Sequence, residues 1–288
     1  MKTFNLIKDI KNHISELKSS SDKPTTIGFV PTMGALHKGH ISLIEKAKKE
    51  NDVVVCSIFV NPIQFDNKED LKKYPRDINE DIKKLEDIGC DILFNPCADE
   101  MYPKNKSNCT DEQKSVNLGE LDKTMEGKYR TGHFDGVAIV VNKLFDIAKP
   151  DKAYFGEKDF QQLCIIKYLV KQNNIPVQII GCSIIREKDG LAISSRNIRL
   201  TSEQRNIAPV IYKTLKKAKE KSRYLSVEEI KILVTKEINK NKLLKLEYFE
   251  IVDIYSLKSI YKWSDTKKTI ACIAVYLEKI RLIDNIIL

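Results

Sequence analysis

Apolar positions recur at helical spacing from the start of the chain. Phe4, Ile7, Ile10, Ile14 and Leu17 fall on one face and predict an amphipathic helix over residues 3–18. A loop at Ser19–Pro24 leads to a short strand at Thr26–Val30, and the chain then passes through Pro31–His40 into a helix over 41–50. Asp52–Val60, with three consecutive valines, predicts a strand buried on both faces. Helix follows at Ile78–Ile88, strand at Cys90–Asn95, helix at Phe134–Ile147, strand at Lys152–Phe155, helix at Asp159–Gln172 and buried strand at Val177–Ser183. Pro103–Val116 is polar, lacks periodicity and is expected to be a mobile surface loop. Strand and helix alternating in this way predict an α/β fold, a parallel sheet with helices on both faces.

The character changes near residue 184. Thr201–Lys221 and Ser226–Asn241 read as Lys-rich amphipathic helices, each opening with a hydroxyl residue and, three positions on, Gln204 or Glu229, the pattern of a capping box. Leu246–Ile254, Lys268–Leu277 and Ile280–Ile287 read as strands. The expected division is a domain over 1–184 and a smaller C-terminal α+β domain over 185–288, the latter beginning with a polar, turn-rich stretch at Arg186–Asn197.

Composition narrows the classes. At 288 residues, 42% hydrophobic and 31% charged, the chain fits a globular protein with a large core and not a disordered one. Apolar runs of about 18 residues are missing, so no membrane span is expected, and residues 1–24 show no signal peptide. Lys plus Arg exceeds Asp plus Glu by 49 to 40, giving a formal charge of +9, which suits an anionic partner. Many of those lysines are interleaved with apolar residues, as in Lys213–Lys221 and Lys236–Lys245, and read as solvated helix faces. Seven cysteines, an odd number without a CxxC pair, indicate neither a disulfide framework nor a zinc knuckle and suggest a reducing, cytoplasmic setting.

Two of the four histidines lie in His37-Lys38-Gly39-His40, between a predicted strand and a predicted helix. Such a junction presents unpaired backbone N–H groups at the helix N-terminus, a natural phosphate site. Imidazoles three residues apart share one face of the first turn, and Gly39 admits a close approach to the backbone. The plain alternative is a pair of surface histidines in a loop.

The longer stretch Pro31-Thr32-Met33-Gly34-Ala35-Leu36-His37-Lys38-Gly39-His40 resembles the ATP signature of the pantothenate synthetase family, the pantoate–β-alanine ligases. Phe59-Val60-Asn61-Pro62-Ile63-Gln64-Phe65 and Tyr74-Pro75-Arg76 resemble a second block, and Gly132-His133-Phe134-Asp135-Gly136-Val137 a third. Phe155-Gly156-Glu157-Lys158-Asp159-Phe160-Gln161-Gln162 and Arg186-Glu187-Lys188-Asp189-Gly190-Leu191-Ala192-Ile193-Ser194-Ser195-Arg196-Asn197 complete the series in family order, across roughly residues 25–200. The C-terminal third carries little signature of its own.

The resemblance implies a Rossmann-like nucleotidyltransferase fold and a two-step reaction. Pantoate carboxylate attacks the α-phosphorus of ATP, and the amine of β-alanine then attacks the pantoyl adenylate. It implies ATP contacts from Met33, Gly34, Ala35, Leu36, His37, Lys38, Gly39 and His40, from Gly156, Glu157, Lys158 and Asp159, and from Ile185, Ile193, Ser194, Ser195 and Arg196. His40, His37, Lys158 and Arg196 are the implied catalytic charges, with Asp159 on the ribose. Gln64, Gln162 and Met33 are the implied pantoate contacts, and Gln64 also the β-alanine contact. Arg130 is a candidate for a carboxylate or for the second step. Departures from the family pattern are Ile193 for Met and Thr131 for Pro. Mg²⁺ is expected to arrive with ATP, held mainly by phosphates and water, with Glu80 or Asp81 nearby; no tightly bound organic cofactor is expected. Phe65–Asp77 is the expected flexible lid. The family also implies a homodimer through the N-terminal domain.

Two other readings compete. A nucleotidyltransferase acting on a phosphorylated acceptor shares the His-x-Gly-His pattern but needs a further cationic site where this chain offers Gln64 and Gln162. A synthetase-like RNA-binding module would use the positive charge, yet aromatic residues suited to base stacking are not clustered after residue 200.

Overall fold

The computed structural model describes residues 1–19, 24–103 and 116–288. The loop expected over 103–116 therefore lies, except for its two end residues, outside the described residues, as does most of the loop at 19–24. Strands β1 (Lys2–Phe4), β2 (Ile27–Thr32), β3 (Val53–Ile58), β4 (Ile92–Phe94), β5 (Lys152–Gly156) and β6 (Gln178–Cys182) form one parallel sheet in the order β1-β4-β3-β2-β5-β6. The helices are α1 (Ile7–Ser19), α2 (Lys38–Glu50), α3 (Lys68–Lys73), α4 (Ile78–Asp87), α5 (Ala98–Met101), α6 (Met125–Tyr129), α7 (His133–Ala148), α8 (Phe160–Gln172), α9 (Ser202–Ile207), α10 (Val210–Lys221) and α11 (Val227–Asn239). Three antiparallel strands, β7 (Leu244–Asp253), β8 (Thr269–Leu277) and β9 (Ile280–Ile287), make a second sheet.

Side-chain alternation along a strand explains the layering of the first sheet. Val30, Val54, Cys56 and Ile58 face one way and pack with Leu43, Ile44 and Ala47 of α2 and Leu85 of α4. Phe29 and Phe155 face the other way and meet Phe145 of α7 edge-on, at 6.3 and 6.4 Å between ring centroids. Helices thus cover both faces, and Val54 and Val55 of the β-branched run are enclosed, as its lack of polar alternation requires.

By compactness the chain divides into two units. One holds Met1–Leu118, Arg130–Glu157 and Ile165–Ser183; the other holds Gly119–Tyr129, Lys158–Cys164 and Ile184–Leu288. In the second unit, Phe249, Ile251, Ile273 and Val275 on one face of the sheet pack with Ile211 and Leu215 of α10 and Ile230 and Val234 of α11. Tyr248, Val252, Cys272 and Ala274 on the opposite face pack with Met125.

Two local expectations differ from the structure. Lys2–Phe4 is a strand paired in parallel with β4, and the first helix begins only at Ile7. The helix expected over Thr201–Lys221 is two, because Pro209 lacks an N–H and its ring excludes a continuous helix through that point. The segment expected to be a flexible polar lid contains α3, whose N-cap Asn67 accepts hydrogen bonds from the Glu69 and Asp70 amides at 2.8 and 3.3 Å.

Among the described residues, no helix is long and apolar enough to cross a membrane. Cys56, Cys90, Cys97, Cys164, Cys182 and Cys272 are free thiols. Burial raises the Cys90 thiol to about 11, so it stays protonated and serves as a packing group.

Candidate active site

In an open parallel sheet, ligands collect outside the carboxyl ends of the strands, where the strand order reverses. Here that point lies between the neighbours β2 and β5, since β3 and β4 continue to one side and β6 to the other. Strand β2 ends at Thr32 and releases Met33–His40; β5 ends at Gly156 and releases Glu157–Asp159.

The loop after β2 is held from below. Thr32 Oγ1 donates to the Ser57 carbonyl at 2.8 Å and accepts from the Gly34 amide at 3.2 Å. Gly34 and Ala35 are both left-handed, with φ of 78° and 49°. A Cβ on Gly34 would stand 2.9 Å from Asp81 Oδ2, so glycine is needed for space as well as for conformation. Asp81, buried on α4, accepts from the amides of Ala35 and Leu36 at 2.8 and 2.6 Å. Burial pushes its carboxyl above the usual carboxylate range, and the two amide donors oppose that. One turn further along, Lys84 Nζ donates to the Leu36 carbonyl at 2.9 Å and lies 3.5 Å from Glu80. Both carboxylate oxygens of Asp81 therefore anchor the loop.

His37 is the N-cap of α2, and its ring stacks on that of His40 at 3.9 Å between centroids and 16° between planes. Gly39 makes this possible, because a Cβ there would come within 3.0 Å of the His37 ring. The His37 amide donates to His40 Nδ1 at 3.4 Å. An amide can only donate, so the neutral His40 ring carries its proton on Nε2. The first turn of α2 contains no acidic residue, leaving its N-terminal dipole to attract an anion.

Gln64 ends a single 3₁₀ turn after β3 and is buried. Its Nε2 donates to Met33 Sδ at 3.1 Å, and its Oε1 accepts from Asn61 Nδ2 at 3.2 Å. Asn61 is tied in turn to the Gly136 carbonyl at 3.0 Å and to Tyr102 Oη at 2.9 Å. Gly136 must be glycine, since a Cβ would sit 2.6 Å from the Ile63 carbonyl. His133 Nδ1 donates to the Gln64 carbonyl at 2.8 Å, and its Nε2 faces Arg130 Nη1 at 3.0 Å. A guanidinium has no acceptor, so this geometry requires a neutral His133 protonated on Nδ1. Arg130 also stands 3.7 Å from Asp66. Gln64 thus has a braced backbone and a supported amide. If Gln64 makes the pantoate contact that the sequence resemblance implies, Gln64→Ala should weaken pantoate binding by roughly 1–3 kcal/mol, the scale for a buried polar ligand group losing its partner, and ATP binding much less. Calorimetric titration of each ligand tests this; equal losses would remove Gln64 from the pantoate contacts.

In the second unit, Lys158 and Asp159 share one 3₁₀ turn, with Nζ 3.5 Å from Oδ2. Gln161 and Gln162 are adjacent but differ. The Gln161 amide donates to the Leu121 and Thr124 carbonyls at 2.7 and 2.9 Å and its oxygen accepts from the Glu126 amide at 2.9 Å, so it is a structural clamp; Gln162 is half-buried. Residues 185–193 form a small antiparallel hairpin, bridged at Arg186 and Ala192, in which the Ile193 amide donates to the Ile185 carbonyl at 3.0 Å. Ser194 Oγ caps the following turn by accepting from the Arg196 amide at 3.3 Å, and Ser195 is buried.

Within the first unit the structure therefore brings His37 to His40 and Met33 to Gln64; within the second it brings Lys158 to Asp159 and Ile185 to Ile193. Asn61, Tyr102 and the anchoring role of Asp81 escaped the sequence reading. Asn61 stands inside a quoted motif, and a polar residue next to a buried valine-rich strand was the available signal. Among the described residues, no three His, Cys, Asp or Glu side chains gather as a metal site. A Mg²⁺ that enters on the phosphates needs no such cage.

The family model described as Pantoate-beta-alanine ligase matches residues 2–287. A pantothenate synthetase of Porphyromonas gingivalis is 48% identical over 286 residues, covering 99% of both chains. One from Cytophaga hutchinsonii is 46% identical over 284 residues, covering 98% of this chain and 97% of the relative. Among solved structures, the pantothenate synthetase of Thermus thermophilus superposes with a TM-score of 0.89 at 38% identity, covering 99% of each chain. The pantoate-beta-alanine ligase of Francisella tularensis, solved in complex with Beta-gamma ATP and Beta-alanine, gives a TM-score of 0.76 at 39% identity, covering 99% of this chain and 97% of that one.

Proposed function

The chain belongs to the pantoate–β-alanine ligase family, and we propose that it condenses (R)-pantoate with β-alanine through a pantoyl adenylate, releasing pyrophosphate and AMP. The observation that carries this reading is the stacked His37–His40 pair on a loop clamped by Asp81 at the reversal of strand order.

In the first step a pantoate carboxylate oxygen bonds to the α-phosphorus, and the bond to the bridging oxygen of pyrophosphate breaks. The protein's task is to neutralise charge and hold the groups in line. His40 Nε2–H donates to phosphate oxygen as charge builds on the departing pyrophosphate, with His37 beside it. Lys158 neutralises the α-phosphate, Asp159 holds the ribose, and Ser194, Ser195 and Arg196 take the β- and γ-phosphate oxygens. Gln64 and Gln162 bind pantoate through neutral amides, which leave its carboxylate nucleophilic, and Met33 packs on its methyl groups. In the second step the β-alanine nitrogen bonds to the acyl carbon, AMP leaves with the electron pair of the broken C–O bond, and the nitrogen gives up a proton. Mg²⁺ accompanies ATP. A homodimer through the N-terminal part of the chain and a cytoplasmic location belong to the same proposal; the free thiols support the latter.

A carboxylate accepts an amine only after AMP has become its leaving group. ATP and pantoate alone should therefore exchange labelled pyrophosphate into ATP. A strict requirement for β-alanine would sink the adenylate-first order. Exchange that appears only with a phosphorylated acceptor would instead favour an adenylyl- or cytidylyltransferase.

A further inference from the structure

Strand β9 (Ile280–Ile287) carries two consecutive buried polar residues, Asp284 and Asn285, and Arg281 apart its other residues are apolar. Strand alternation predicts that only one of two neighbours faces a core, and burying an amide or carboxylate costs free energy unless it finds partners. Both do. Asp284 receives the fork of Arg186 at 2.6 and 2.8 Å, and that guanidinium lies 3.7 Å from the centre of the Tyr212 ring. Arg186 also donates to the carbonyls of Gly190 and Asn285 at 3.1 and 3.3 Å. Asn285 gives its own amide N–H to Asp284 Oδ1 at 2.8 Å. With its N–H and carbonyl both held, its side chain starts from a fixed base. Asn285 Nδ2 donates to the Lys158 carbonyl at 3.0 Å.

Lys158 lies in a single 3₁₀ turn joining β5 to α8, an element with few internal hydrogen bonds of its own. Its carbonyl is one of the few points where that turn can be fixed. We infer that Asn285 is a positioning residue for Lys158: it holds the Lys158 peptide so that the ammonium is presented in one place during adenylate formation. The inference rests on the role given to Lys158 above. A purely structural polar residue would serve as well anywhere on the strand. This one instead spends its side-chain donor on the backbone of the proposed phosphate-binding lysine.

The test is a double-mutant cycle read by pantoate-dependent pyrophosphate exchange in the full chain. Asn285→Ala should lower the exchange kcat by roughly 10- to 100-fold, the range for a misplaced catalytic group, with the KM for pantoate changed less than about twofold. In a Lys158→Ala background the same substitution should cost less than about twofold, because its effect passes through Lys158. Asn285→Leu keeps the volume without the donor and should reproduce both results if the alanine variant folds poorly. Equal losses in the two backgrounds, an unchanged kcat, or a raised pantoate KM at unchanged kcat would each overturn the inference. Near-wild-type exchange by Lys158→Ala alone would overturn the role of Lys158 itself, a separate outcome.

Discussion

His40→Ala should lower turnover by at least about 100-fold with the fold intact, the scale for removing one oriented charge stabiliser. That corresponds to roughly 2.7 kcal/mol of transition-state stabilisation. The size follows from how little freedom the imidazole has. It sits in the first turn of α2, stacks on His37 and receives the His37 amide on Nδ1. In the proposed role the ring, held in this orientation, presents Nε2–H to the departing pyrophosphate without reorganising. Alanine removes the donor and the stacking surface but leaves the Asp81 clamp on Ala35 and Leu36 untouched. Pantoate affinity should therefore change little, while kcat for both pyrophosphate exchange and the overall reaction falls. Steady-state kinetics with circular dichroism as a folding control checks this, and turnover near the wild-type level would remove His40 from the mechanism.

Arg281→Ala should destabilise the second unit by about 3–5 kcal/mol, the range for breaking a buried ion pair by deleting one partner. Arg281 donates to both oxygens of Glu126 at 2.7 Å each, and to Glu247. Burial alone would lower its affinity for a proton, but the two carboxylates outweigh that and hold it above the ordinary arginine range. Tyr248 Oη adds a 2.8 Å hydrogen bond to Glu126. Alanine leaves Glu126 and Glu247 without the cation that bridges them. Urea unfolding at neutral pH measures this; a loss below about 1 kcal/mol contradicts the account.

The first sheet was legible because its signals are local. Three consecutive valines can be enclosed only between layers, and the apolar spacing of Phe134–Ile147 suits only a helix. Phe4 misled for the same reason. It fits the helical period of Ile7, Ile10 and Ile14, while a three-residue strand is too short to show alternation, and its pairing with Phe94 is a long-range fact. The split at Pro209 was available in the sequence, but the capping box at Thr201 and the amphipathic run beyond drew the helix through it. The proposed ATP loop was legible in its residue types, whereas its support was not: nothing near Ala35 in the chain points to Asp81. The C-terminal third looked featureless because its polar residues act on partners far away. Arg281 acts on Glu126, Asp284 on Arg186 and Asn285 on Lys158. The adjacent polar pair Asp284–Asn285, in a strand apolar but for Arg281, was the local trace.

The second unit is stitched from three stretches of chain, and this fixes a timetable for the ribosome's product. Every strand of the first sheet has been made once residue 182 emerges, so that sheet can assemble early. Residues 119–129 and 158–164 are made in the same interval, yet their partners in β9 are the last strand to appear. Until then Glu126 lacks its Arg281 partner and the Lys158 carbonyl lacks the Asn285 side chain. A nascent chain thus completes its first sheet well before the fastening of its proposed phosphate-binding lysine. That fastening arrives only with residues 280–287.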